Sequence, residues 1–135
     1  MIIRNYLQAE LGAGSSHRGK GLVHGVRLFD NNDYDSPLRF MYYTEIPPGA
    51  SIGYHKHGQD EEVYVILEGR GLMTVNGETR EVGAGDVILN KPGWSHGLEN
   101  AFDETMRLLI YEAALCPAAV SPGAADAASA TATTE

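Results

Sequence analysis

Along the middle of the chain, apolar and polar positions alternate with a period near two, in short runs broken by glycine, proline and asparagine. LVHGVRLF, RFMYYTEI, EVYVIL, LMTV, TREV, DVIL and MRLLIYEA are rich in β-branched and aromatic side chains, and PPGA, EGRG, NGE, GAGD and KPGW separate them. Side chains of that shape fit a pleated, half-buried surface better than the crowded turn of a helix, so each run predicts a strand. Asn76 and Gly77, between LMTV and ETREV, both tolerate positive φ and predict a two-residue hairpin. No stretch sustains a 3.6-residue apolar period with helix caps, apart from a short helix or turn near Asn5 to Leu11. Short strands at this even spacing predict an antiparallel all-β sandwich or barrel.

Alternation also assigns faces. In EVYVIL, Glu62, Tyr64 and Ile66 share one side of the strand while Val63, Val65 and Leu67 share the other. If Glu62 faces inward, the outer side is wholly apolar, whereas a wet face of an antiparallel sheet is normally polar. A second sheet or another subunit should therefore cover it, and a homodimer is expected.

The flanks have a different texture. GAGSSHRGKG and DNNDYDSP read as loops, and the tail CPAAVSPGAADAASATATTE lacks any apolar period. The expected organisation is an N-terminal segment over residues 1–22 with an edge strand and a loop, a barrel over 23–115, and a disordered tail over 116–135. The acids of DNNDYDSP lack the spacing and central glycine of a calcium loop, which makes them a solvated turn.

Composition narrows the partners. At 135 residues there is room for one core, and 18 acids against 10 bases give a net charge of −8, which argues against nucleic acid and anionic membrane surfaces as partners. The first residues hold no apolar run long enough for a signal-peptide core, and nowhere do about 18 apolar residues follow one another, so a cytoplasmic protein is expected. A single cysteine, Cys116, has no partner for a disulfide and no neighbouring base, and is expected to be inert.

The chemistry concentrates in GASIGYHKHGQDEE, residues 49–62. On a strand, His55 and His57 project to the same side and Lys56 to the other. After a turn at GQD, Glu62 would return across a hairpin to face the two imidazoles, while Asp60 and Glu61 would remain solvated in the turn. Two neutral imidazoles and a buried carboxylate suit a metal ion, because the cation removes the cost of burying the charge. His96, placed after the turn at Lys91-Pro92-Gly93, is the candidate fourth ligand. His17 and His24 match no pattern and read as loop or packing residues. Tyr64 stands two residues from Glu62 on the same face, either as barrel packing or as a phenol able to bind a substrate oxygen or move a proton.

These residues carry a family resemblance. Gly49, His55-x-His57, Glu62 and Gly69 match the spacing of the first cupin motif, and Gly85, Gly93, His96 and Asn100 that of the second; Lys91 departs, standing where the motif has proline. The chain thus resembles the small metal-binding cupins, in particular those described as oxalate decarboxylase-like. That resemblance implies a double-stranded β-helix, or jelly-roll barrel, often dimeric, with one divalent metal inside, manganese by preference and iron, nickel or zinc as alternatives. It further implies a small carboxylate substrate chelating the metal, in decarboxylase or dioxygenase chemistry. Similar cupins act as dimethylsulfoniopropionate lyases, with an inner-face tyrosine like Tyr64 as base, or as sugar isomerases, or bind small molecules without catalysis. Arg39, Arg70 and Arg107 are the candidates to bind a carboxylate, and only the fold decides among them.

Overall fold

The computed structural model describes residues 1–115, so the expectations for the tail and for Cys116 lie outside the described residues. Ten strands follow in order: β1 (Gly12–Gly14), β2 (Val23–Asp30), β3 (Leu38–Ile46), β4 (Ser51–Lys56), β5 (Asp60–Glu68), β6 (Arg70–Val75), β7 (Glu78–Gly83), β8 (Val87–Asn90), β9 (Ser95–Glu99) and β10 (Met106–Ala114). Among the described residues there is no helix, and thus none long and apolar enough to cross a membrane. The segment near Asn5 is a turn, in which Gln8 donates its backbone N–H to the Asn5 carbonyl at 3.2 Å.

Two antiparallel sheets make the jelly roll. One runs β1-β2-β3-β10-β5-β8 and the other β4-β9-β6-β7. Their inner faces enclose a core that includes Ile46, Ile52, Ile66, Met73, Leu98, Met106 and Leu108. The hairpin between β6 and β7 turns at Asn76 (φ 49°) and Gly77 (φ 84°), the two positive values that a tight primed turn demands.

The connectivity corrects one expectation from the sequence. β4 and β5 are consecutive yet form no hairpin: β4 pairs with β9 in the small sheet, while β5 lies between β10 and β8 in the large one. Glu62 therefore approaches the histidines from the opposite wall of the barrel. Sequence neighbours become facing neighbours because a jelly roll sends its chain from one sheet to the other at several of its turns, here between β4 and β5.

Outside, coverage is uneven. Residues near the N-terminus lie over β2 and β3, where Tyr6 stacks on Tyr43 with ring centroids 4.3 Å apart and Arg4 grips Asp33 at 2.8 Å and the Leu28 carbonyl at 2.7 Å. Farther along the same sheet, Val63, Val65 and Leu67 are only half-buried, and Val87 and Leu89 on the edge strand β8 are exposed. Among the described residues, the apolar outer face of β5 and β8 is incompletely covered.

Candidate metal centre

One irregularity sets the direction of the histidines. In the pairing of β4 with β9, Ile52 faces Leu98 but His55 faces His96, so β4 carries one residue more than its partner. This β-bulge lets Ile52 and His55, three residues apart, both point into the barrel, which strict alternation forbids. It needs small residues on both sides. A Cβ on Gly97 would lie 3.0 Å from the Tyr54 Cα, and one on Gly53 would collide with the His17 carbonyl. His57 follows just beyond β4, anchored by its N–H to the Trp94 carbonyl at 2.9 Å.

Four side chains then converge. One ligand atom from each of His55, His57, Glu62 and His96 lies within 4.8 Å of the others, and the last three residues are buried. His57 Nε2, His96 Nε2 and Glu62 Oε1 stand 3.0 Å from one another. Donor atoms about 2.1 Å from a shared ion and at right angles lie about 3 Å apart, so the spacing fits a transition metal. Two facing imidazole nitrogens so close must otherwise share a proton. His55 Nε2 and Glu62 Oε1 are also buried without a hydrogen-bond donor or acceptor of their own. This group could hold a divalent metal.

The tautomers agree with that use. His55 Nδ1 meets the Gly53 carbonyl at 2.7 Å, so it is the donating nitrogen and leaves the Nε2 lone pair free. His57 Nδ1 likewise meets Asp60 Oδ1 at 3.0 Å and leaves Nε2 for the centre. Burial lowers the pKa of His55 to about 4, keeping it neutral. For His57, burial again disfavours the charge, but the Glu62 and Asp60 carboxylates beside it prevail and raise its pKa to about 9. Burial disfavours the Glu62 carboxylate too, yet His57 and His96 outweigh it and hold the group at about 2.

Behind the centre sits a second polar layer. Asp60, expected to be a solvated turn residue, is fully buried at the start of β5. Its second oxygen meets Arg39 Nη1 at 3.0 Å, and the same nitrogen lies 3.1 Å from Glu112 on β10. Asp60 therefore orients His57 as outer partners of metal-bound histidines do. His57, Asp60 and Glu112 are close enough to form a second candidate group, but Arg39 already meets both carboxylates and Asp60 occupies His57 Nδ1. Burial, with Glu62 and Asp60 nearby, pushes the Glu112 carboxyl up to about 9.

A cavity of about 510 Å³ opens onto the centre. Glu62 and Tyr64 line it, with Ile52, Phe40 and Ile110 among its walls and Ser15, Ser16 and His17 at the rim. Tyr64 is buried, its ring 4.9 Å from that of His96, and burial, then the charges of Glu62 and Glu112, raise its pKa well above the usual phenol value. The three candidate arginines lie elsewhere: Arg39 binds Asp60 and Glu112, Arg70 lies over the Phe102 ring and near Glu81, and Arg107 pairs with Glu45.

His17 is more than the loop or packing residue the sequence suggests. Its ring stacks on His55 with centroids 3.5 Å apart and planes within 6°, and its backbone has φ 49°. The loop is clamped to the bulge by the Gly53 N–H donating to the Ser16 carbonyl at 3.0 Å. No spacing rule links residue 17 to residue 55, but a histidine beside glycines in a loop otherwise without aromatic residues was the available signal. Asn100 has a structural task. Fully buried, it donates to the Ile46 and Glu104 carbonyls at 2.8 and 2.7 Å, tying two connections at the barrel end.

Comparison with known proteins places this geometry. The cupin domain model matches residues 42–111, which contain all four converging side chains. An oxalate-binding protein from Thermotoga maritima is 35% identical over 91 residues, 67% of this chain and 75% of that protein. An uncharacterized protein from Methanocaldococcus jannaschii is 44% identical over 82 residues, 61% of this chain and 66% of that one. The crystal structure of a predicted oxalate decarboxylase from Thermotoga maritima superposes with a TM-score of 0.81 at 31% identity, covering 85% of this chain and 100% of that one. With the domain model spanning more than half of the sequence and the same barrel found in a relative, the chain belongs to the cupin family.

Proposed function

We propose that this cupin is a metal-dependent enzyme acting on a small carboxylate, with His55, His57, Glu62 and His96 as ligands to one divalent ion, manganese by preference. The observation that carries the reading is the triangle of His57 Nε2, His96 Nε2 and Glu62 Oε1, each 3.0 Å from the others, beside a cavity lined by Glu62 and Tyr64. A bound divalent ion would supply Lewis-acid polarisation and a template for a chelating carboxylate. Similarity to an oxalate-binding protein supports this class of ligand.

The protein's own residues have separate tasks. Asp60 and the Gly53 carbonyl hold two imidazoles in the tautomer that presents Nε2. Ile52, Phe40 and Ile110 present an apolar wall on one side of the cavity. Tyr64 is the catalytic candidate: because its phenol stays protonated, it is suited to donate a hydrogen bond or a proton to a bound oxygen rather than to begin as a base. The half-buried outer face of β5 and the exposed Val87 and Leu89 support a homodimer formed through that sheet.

Elemental analysis of protein purified without chelator and reconstituted with manganese tests the metal. About one equivalent in the wild type, and much less in Glu62→Gln, is expected. A calorimetric titration of loaded protein with oxalate should give a saturable signal that metal-free protein lacks. Absence of metal after reconstitution would sink the proposal.

A further inference from the structure

We infer that the cavity beside the metal group selects a singly charged carboxylate chelator with an apolar body, of the 2-oxo acid type with an aromatic or branched side chain, over oxalate. The inference rests on the metal-and-carboxylate reading above and names its substrate class.

The first ground is charge. All ten lysines and arginines of the chain fall within the described residues, and none lines the cavity. The arginine nearest the ligands in the network, Arg39, is engaged by Asp60 and Glu112. Three neutral imidazoles, the Glu62 carboxylate and a divalent ion together leave a single positive charge. A monoanion cancels that charge, whereas a dianion such as oxalate reverses it in a cavity that has no lysine or arginine in its walls and only His17 as a titratable base at its rim.

The second ground is shape. At about 510 Å³, the cavity falls in the range of about 300–1,000 Å³ that accommodates drug-sized ligands, and oxalate has no carbon beyond its carboxyl groups to occupy it. Away from Glu62 the walls are Val23, Ile52, Phe40, Tyr42 and Ile110. A ligand reaching them gains about 25 cal/mol for each Å² of apolar surface it removes from water, and oxalate gains nothing there. Ser15, Ser16 and Thr44 offer neutral hydrogen bonds but no charge.

Calorimetry on the manganese-loaded wild-type protein, with phenylpyruvate and oxalate as probes, decides the matter. Phenylpyruvate should bind at least about 10-fold more tightly, about 1.4 kcal/mol. Val23→Arg, which introduces a cation at the cavity wall, should shift the ratio toward oxalate by about 10-fold or more. Oxalate binding as tightly as phenylpyruvate to the wild type overturns this inference and leaves the metal-and-carboxylate reading standing. An unchanged ratio in a folded, metal-loaded Val23→Arg protein also overturns it. Failure of both probes to bind loaded protein overturns the underlying reading itself.

Discussion

The two faces of β5 reverse the usual order of a globular protein. Inward are Asp60, Glu62, Tyr64 and Ile66, three of them polar or ionisable and all buried; outward are Val63, Val65 and Leu67, apolar and only half-covered. Each inner charge has a specific counterpart. Asp60 has Arg39 and His57, and Glu62 has two imidazoles and the proposed ion. The outer valines have none among the described residues. The contrast teaches that burial here follows function on one face and, under the homodimer proposal, awaits assembly on the other.

The inner face should break first. His96→Ala removes a proposed ligand and leaves the strands intact, so manganese affinity should fall by more than about 10²-fold, beyond the loss for an outer partner, while the far-UV spectrum stays native. Retained stoichiometric metal would refute the assignment. Tyr64→Phe keeps the ring against His96 and removes only the hydroxyl. Once a turned-over substrate is in hand, kcat should fall by about 10²-fold with metal content unchanged, and an unaffected kcat would return Tyr64 to packing.

Asp60→Asn probes the layer behind. It keeps the shape and one hydrogen-bonding oxygen but removes the charge between His57 and Arg39, so metal affinity should weaken by about 10-fold to 100-fold. If dialysis against a graded chelator finds no change, Asp60 does not tune His57.

Acidity sharpens the same face. In the metal-free protein the pKa of His57 is raised to about 9, so below that pH the ion must displace a proton. Affinity should therefore weaken about tenfold for each pH unit below about 9, measured by competition with a chelator of known proton affinity. For stability the signs differ by group. The raised His57 pKa stabilises the metal-free fold fully below its unfolded value near 6.5, and that contribution is lost as pH rises through about 9. The depressed Glu62 pKa stabilises it above about 4.5, and that contribution is lost as pH falls through about 2. Thermal melting of the metal-free protein should show both contributions together between about pH 4.5 and 6.5; a transition temperature that rises steadily from pH 6.5 to 9 would contradict the His57 interaction.

The smallest effect on the centre should come from the outer face. Val65→Lys places a charge on the half-covered side of β5 without touching the barrel interior. Light scattering should shift from a dimer toward a monomer at micromolar concentration, with metal affinity within about twofold. A wild-type protein that is already monomeric would remove the assembly half of the comparison.

Much of this was legible in the chain because it depends on local chemistry. Period-two alternation predicted the strands, Asn76-Gly77 predicted its hairpin, and the spacing from Gly49 to Asn100 carried the family resemblance. That Glu62, Tyr64 and Ile66 share one face needed only the rule that strand side chains alternate, whereas the fold decided that this face is the inner one. What a strand faces across a barrel is a different kind of information. The bulge that turns His55 inward depends on Gly97 in the paired strand, and Glu62 meets the histidines because β4 and β5 separate into opposite sheets. The burial of Asp60 depends on Arg39 from β3, and the stack of His17 on His55 depends on a loop that closes over the bulge. Residue types and their periodicity thus determined the strands and marked out the four side chains that converge, since both follow from each residue's own geometry and neighbours in sequence. Only the tertiary structure decided which charges share an interior, because the cost of burying a charge is set by partners that arrive from distant parts of the chain.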